Sequence, residues 1–143
     1  LVHSYCDGCP AQEEKGGCTD TEATNADPAA TYDDGSCLYA VTFQVDMTCY
    51  DTFESVYLNG PFNEWCGSCW PMTDGNSNGI YTYTAALPPG GVEYKFTVDD
   101  TWEVLQPGSD CTTTSNEYTN RYTEVTGAET FAAVAPGSCS PCE

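Results

Sequence analysis

Basic side chains are nearly absent from this sequence. Three Lys and Arg stand against 22 Asp and Glu in 143 residues, which gives a formal net charge of −19. Proteins bind polyphosphates by displacing counterions with Lys and Arg, so this deficit argues against nucleic acid as a partner. It argues equally against attraction to anionic membrane surfaces.

Long apolar runs and histidine are scarce as well. No segment approaches the ~20 apolar residues that a membrane-spanning helix needs, so we expect no membrane insertion. The single histidine is His3, which leaves the rest of the chain without a Ser–His or Cys–His couple for nucleophilic catalysis. A carboxylate pair for glycoside hydrolysis stays open, but a small sandwich without a large insertion predicts no deep cleft. We therefore predict that the protein is not an enzyme.

Cysteine, in contrast, is abundant. The chain has ten cysteines, an even number and more than a reducing compartment favours. We interpret them as structural disulfides of an extracellular protein, either secreted or held at the cell surface. The chain begins at Leu1 with neither an initiator Met nor an apolar leader, which we interpret as a processed or trimmed start.

The chain divides near residue 40. Residues 1–39 carry four cysteines and eight carboxylates but too few apolar residues to build a core. We predict a disulfide-stapled, mostly irregular arm there, and a β-sandwich domain over residues 40–143.

Period-two alternation of apolar and polar residues predicts strands with one buried face in the second part. It is clearest in AVTFQVDM (40–47), IYTYTAAL (80–87) and VEYKFTV (92–98). The cluster DGNSNG (74–79) and the run PPGG (88–91) are turn signals. Further strands are predicted at 53–59, 102–105, 120–125 and 130–134. Short strands between turn signals predict an all-β fold, an antiparallel sandwich.

Oxygen-bearing side chains cluster in the arm between Cys18 and Cys37. They are Asp20, Asn25, Asp27, Asp33 and Asp34. Ca²⁺ takes about six to eight oxygen ligands, so the cluster is a candidate calcium site. The alternative is a solvated acidic loop that a Cys18–Cys37 disulfide closes, in which Asx turns account for Asn25 and Asp27. The segment GCTDTEATNADPAATYDDGSC (17–37) is similar to acidic modules in secreted Bacteroidetes proteins and, more loosely, to the calcium repeats of thrombospondins.

Two C-x-x-C motifs occur, Cys66–Cys69 and Cys139–Cys142. Two such motifs can form a tetrahedral zinc site, but the cysteine content and the expected compartment favour disulfides. A thioredoxin-like role needs a βαβ unit, which the pattern lacks. The terminal motif could also form bonds between chains.

After the acidic cluster and the C-x-x-C motifs, the tryptophan and tyrosine residues are the third feature that could bind a ligand. An exposed indole or phenol ring can stack on the flat face of a pyranose while polar neighbours bind its hydroxyls. Trp65, Trp70 and Trp102 are the candidates. In a small sandwich a tryptophan is more often part of the core, so both interpretations stay open from composition alone.

Three consecutive segments make the aromatic signal specific: VYLNGPFNEW (56–65), PMTDG (71–75) and IYTYTAALPPGGVEYKFTVDDTW (80–102). Their order resembles the starch- and glycogen-binding modules found before branching enzymes and isoamylases, and in the β subunit of AMP-activated protein kinase. The resemblance extends weakly to TNRYTEV (119–125). It implies an immunoglobulin-like sandwich that binds polysaccharide. The glucan-contacting positions of the family fall on Trp65, Lys95 and Trp102, with Asn120 as a further candidate.

Several cysteines depart from the intracellular members of this family and resemble a secreted Bacteroidetes variant. Two hypotheses for function follow. One is a non-enzymatic extracellular module that binds polysaccharide through exposed aromatic rings. The other is a subunit of an extracellular filament or surface layer, in which copies assemble through the arm and sheet edges. Cys-rich termini would then link subunits, and the hydroxyl-rich TTTS (112–115) would carry O-linked sugars.

Overall fold

A computed structural model describes residues 14–142 of the chain. His3, Cys6 and Cys9 lie outside the described residues. Apart from one 3₁₀ helix at Pro61–Asn63, the regular structure of the described part is all strand, which confirms the predicted fold class. No helix in this part is long and apolar enough to cross a membrane. The strands are β1 (Gly16–Gly17), β2 (Tyr32–Asp33), β3 (Tyr39–Asp46), β4 (Val56–Asn59), β5 (Ile80–Leu87), β6 (Gly90–Val98), β7 (Thr101–Trp102), β8 (Thr112–Ser115), β9 (Tyr118–Val125) and β10 (Glu129–Thr130).

Two sheets form the sandwich. One has the strand order β10-β3-β5, and the other has the order β4-β6-β9-β8, with β7 paired to β6. The pairing is antiparallel throughout these sheets except for β10, which runs parallel to β3. The fully buried side chains come from both sheets, including Phe43 and Val45 of β3, Leu58 of β4 and Phe96 of β6. Burial of apolar surface between the sheets is therefore the main stabilising term.

Alternation predicted the central strands well. β5 coincides with the predicted segment 80–87, and β3 and β6 lie within two residues of their predicted bounds. The turn at Pro88-Pro89 carries the chain from one sheet to the other, because β5 and β6 belong to different sheets. β6 then begins at Gly90, whose φ of 126° is costly for residues with a Cβ.

Other predicted strands are shorter in the structure. The strand predicted from residue 53 begins only at Val56, because the backbone N–H groups of Glu54 and Ser55 donate to Asp99 Oδ1 instead of to a neighbouring strand. The strand predicted at 102–105 is reduced to β7, since Glu103 turns into the interior.

A buried ion pair joins the larger sheet to the C-terminal segment. Arg121 of β9 and Glu103 are both 1% exposed, and Arg121 Nη2 lies 2.7 Å from Glu103 Oε1. Glu103 also accepts hydrogen bonds from Phe96 N and Gly137 N, and Arg121 donates to the carbonyl of Ala135. The guanidinium stands 5.0 Å from the centre of the Phe96 ring. Both charged side chains thus have hydrogen-bond partners, as a buried charge requires.

The cysteines of the described chain are all paired. Cys18 bonds to Cys37 and Cys66 to Cys69, while the terminal motif is divided between two long-range bridges. These bridges are Cys49–Cys142 and Cys111–Cys139. The zinc alternative and the bonding of Cys139 or Cys142 between chains are therefore wrong, because each sulfur already has a partner within the chain.

The arm joins the sandwich next to β3. Its short strands β1 and β2 run parallel to each other, and the Cys18–Cys37 bridge closes the segment. Thr24 N donates to Leu38 O at 2.7 Å, and the Tyr39 hydroxyl donates to Asp20 Oδ2 at 2.6 Å. Within residues 14–39, hydrogen bonds and the Cys18–Cys37 bridge hold the arm together.

Candidate functional site

A surface groove lies on the outer face of the larger sheet, where β6, β7, β9 and the loop after β4 meet. Its volume is about 570 Å³, within the ~300–1,000 Å³ of typical ligand sites. The four residues selected by the resemblance all line it. We call it the aromatic groove; its lining residues are Pro61, Trp65, Glu93, Lys95, Trp102, Ser115, Asn116, Tyr118 and Asn120.

Trp65 is presented by a tight loop that follows β4. After the 3₁₀ helix the backbone enters the left-handed region at Glu64 and Trp65, with φ of 56° and 54°. Such a conformation costs roughly 1–2 kcal/mol for each residue with a Cβ. A hydrogen bond from Trp65 N to Gly60 O at 3.0 Å closes the loop, and Asn63 donates to Leu58 O at 3.0 Å. The chain therefore holds this indole in place against a local conformational preference.

Two buried polar side chains anchor the same loop from below. Asn59 Oδ1 accepts from Gly67 N at 2.6 Å, and Thr97 Oγ1 donates to Gly67 O at 2.8 Å. Thr97 lies on the outward face of β6 by alternation, but the loop covers it and only 1% of it is exposed. The Cys66–Cys69 bridge closes the segment directly after Trp65. The loop is thus fixed at its base and at its tip.

Trp102 stands on a β-hairpin beside this loop. The hairpin has a two-residue turn, Asp99-Asp100, in which both residues have positive φ, as a type I′ turn requires. β7 then pairs Trp102 with Thr97 of β6. The Trp102 side chain is 41% exposed, and its ring centroid lies 6.4 Å from that of Trp65 at an interplanar angle of 52°. Two inclined indoles therefore border the groove.

The polar side of the groove comes from β6 and β9. Lys95 Nζ donates to Thr119 O at 2.8 Å, which orients the ammonium and leaves its other donors for a ligand. Asn120 Nδ2 donates to Glu93 Oε1 at 3.0 Å. Hydrogen-bond donors and acceptors thus line the same groove as the aromatic rings, an arrangement that suits a ligand with apolar faces and hydroxyl edges.

Sequence reasoning missed Tyr118, which is 69% exposed and lines the same groove. The segment TTTS (112–115), for which O-linked sugars stay a prediction, forms β8, which pairs with β9. Tyr118 lies two residues before Asn120 on β9, so both side chains fall on the same face of the sheet. That spacing is the signal that would have revealed it.

Trp70, the third candidate tryptophan, has a structural position. Its ring stacks on Phe62 at 4.7 Å and on Tyr83 at 4.8 Å, with interplanar angles of 6° and 9°. Because both faces of the indole are covered, Trp70 has no free face for a ligand.

Two of the five metal candidates in the arm are engaged by neighbouring groups. Asp20 accepts from the Tyr39 hydroxyl and from Glu22 N, and these bonds lower the pKa of its carboxyl. Asp27 accepts from Ala29 N and contacts Lys15 Nζ at 3.1 Å, which lowers the pKa of Asp27 in the same way. Both carboxylates therefore serve local turns.

The remaining three candidates show the same behaviour. Asn25 bridges the backbone of residues 36 and 38, at 2.7 Å and 2.8 Å. Asp33 accepts from Gly35 N, and Asp34 from Ser36 N. In residues 14–142, no group of three or more His, Cys, Asp or Glu side chains is placed to hold a metal ion. The calcium site stays a prediction.

Comparison with known proteins gives one result. A model of the family described as the glycogen recognition site of AMP-activated protein kinase matches residues 43–131, more than half of the chain. The matched segment runs from β3 to the end of β10 and contains Trp65, Lys95, Trp102 and Asn120. No curated protein matches the chain.

Proposed function

The chain belongs to the carbohydrate-binding family of the glycogen recognition site of AMP-activated protein kinase, and from this premise we propose that it binds a polysaccharide in the aromatic groove without catalysing a reaction. The observation that carries the proposal is the pair of inclined indoles, the half-buried Trp65 and the exposed Trp102, which line one groove together with Lys95 and Asn120. Each ring offers a face to a pyranose, and the polar side chains offer partners for sugar hydroxyls.

The charge of the chain favours a neutral ligand. A net charge of −19 repels uronates and sulfated glycans over distances up to the Debye length, about 8–10 Å at moderate salt. Stacking on indole rings needs no ligand charge. We therefore propose a neutral glucan as the ligand class, and an extracellular setting in which the disulfides persist.

Substitution of the two indoles tests the proposal. We expect Trp65→Ala and Trp102→Ala each to weaken binding to glycogen and to maltoheptaose at least ~10-fold, equivalent to ~1.4 kcal/mol. Affinity electrophoresis and calorimetry measure the loss. Tyr32→Ala is the matched control, because Tyr32 is an exposed aromatic residue of the arm that lies outside the groove. Unchanged affinity in both folded tryptophan variants contradicts the proposal.

A second proposal is self-assembly into an extracellular filament. It is supported by β8, which lies at the edge of the larger sheet and has exposed hydroxyl side chains at Thr114 and Ser115. An unpaired edge is a template for another strand. Sedimentation velocity tests this: Thr114→Pro, which removes an N–H group on the side of β8 that faces away from β9, is expected to convert assemblies into monomers, and a wild-type monomer at all concentrations contradicts it.

A further inference from the structure

A second groove lies next to the aromatic groove. We call it the distal groove; its volume is about 480 Å³, and it is lined by Tyr50, Thr52, Asp99, Thr101, Trp102 and Val104, among others. Trp102 lines both grooves. Trp102 is therefore the wall that the two grooves share, and they adjoin at this residue.

Two apolar side chains that line the distal groove are exposed. Val104 is 77% exposed, the highest value among the exposed large hydrophobic residues of the described chain. Tyr50 is 40% exposed, and its ring packs edge-on against Phe53 at 6.3 Å. Exposed apolar groups that border a groove are a mark of ligand contact.

Polar groups of the distal groove suit hydroxyl ligands. Asp99 Oδ1 accepts from Glu54 N at 2.7 Å and Ser55 N at 2.9 Å, which fixes the carboxylate and leaves Oδ2 as an acceptor. Thr52 and Thr101 line the same groove. Apolar faces and oxygen acceptors are thus combined here as they are in the aromatic groove.

We propose that the distal groove is a second subsite for the same glucan chain, which passes over Trp102 and occupies both grooves. This inference rests on the proposed function and deepens it. Occupation of two adjoining subsites by one chain adds their contributions without a second loss of translational freedom. The module then selects long chain segments over short oligosaccharides.

Chain-length dependence tests the inference. Calorimetry with maltotetraose and maltooctaose is expected to show that the wild-type protein binds the octaose at least ~10-fold more tightly. Tyr50→Ala and Val104→Asp are expected to reduce octaose affinity to the tetraose value and to leave tetraose affinity unchanged. Because Val104 is so exposed, its substitution does not threaten folding, and Tyr32→Ala again serves as the control.

The outcomes separate the two proposals. Equal affinity for both oligosaccharides, or an unchanged ratio in Val104→Asp, overturns the distal subsite while the aromatic groove stands. Absence of binding to either oligosaccharide and to glycogen overturns the proposed function and the inference with it. Loss of both affinities in Trp102→Ala, with loss of only the octaose advantage in Tyr50→Ala, supports the shared wall.

Discussion

The arm and the sandwich reach a defined structure by different means. In the arm, carboxylates accept backbone N–H groups at successive turns, and one bridge joins Cys18 to Cys37. In the sandwich, two apolar faces meet and enclose an ion pair between Arg121 and Glu103. The difference teaches that carboxylates support turns throughout the arm, whereas the interior of the sandwich contains only two in the described residues. Glu103 is paired with Arg121, and Asp46 accepts hydrogen bonds from Thr48 and from Cys142 N.

The largest contrast is expected between the two ion pairs. Arg121→Met leaves Glu103 buried without its partner and is expected to lower the free energy of unfolding by about 3–5 kcal/mol. Lys15→Met removes the exposed contact to Asp27 and is expected to cost less than ~1 kcal/mol. Urea unfolding measures both.

A double variant sharpens this result. If Arg121→Met is combined with Glu103→Leu, no buried charge remains, and part of the stability is expected to return. Equal losses of unfolding free energy for Arg121→Met and Lys15→Met would show that the buried pair contributes no more to stability than the exposed pair.

The disulfides provide a second contrast, of intermediate size. Cys66→Ser with Cys69→Ser loosens the segment after Trp65 and is expected to reduce glycogen affinity by several-fold up to ~10-fold. Cys18→Ser with Cys37→Ser opens the arm and is expected to leave that affinity unchanged. Calorimetry with maltoheptaose, with melting curves to verify folding, measures both; a larger loss of affinity for the arm variant would place the arm in the binding site.

Calcium is expected to have the smallest effect. The oxygen side chains of the arm already accept hydrogen bonds from their own turns, and no described cluster is placed to hold a metal ion. Removal of calcium by a chelator is therefore expected to change the melting temperature by less than about 1 °C, whereas a bound ion at 100 times its Kd stabilises by ~2.7 kcal/mol. A clear decrease, reversed by added calcium, would establish the site predicted from the sequence.

The sequence was most informative where a local pattern determined the structure. Alternation identified β3, β5 and β6 because their inner residues lie in the core. It could not place Arg121 inside, because an arginine at an inward position of β9 is tolerated only when a carboxylate from another segment meets it. Alternation also could not show that Thr97 is buried. This residue lies on the outward face of β6, but the loop after β4 covers it.

The candidate groove could be predicted only in part. The resemblance selected Trp65, Lys95, Trp102 and Asn120, and the structure brings these four together. Tyr118 was not selected because β8 and β9 had not been identified as a hairpin. The distal groove was not predicted at all, because Tyr50 and Val104 are far apart in the chain and meet only through the folding of both sheets.

The different settings of the three tryptophans make the protein its own optical probe. Trp70 lies between two stacked rings, so its emission is shielded from quenchers and from ligands alike. Trp65 and Trp102 face the groove, and a sugar that covers them displaces water from the indole surface. Intrinsic fluorescence therefore contains a constant contribution and a ligand-sensitive one, and binding can be followed without a label.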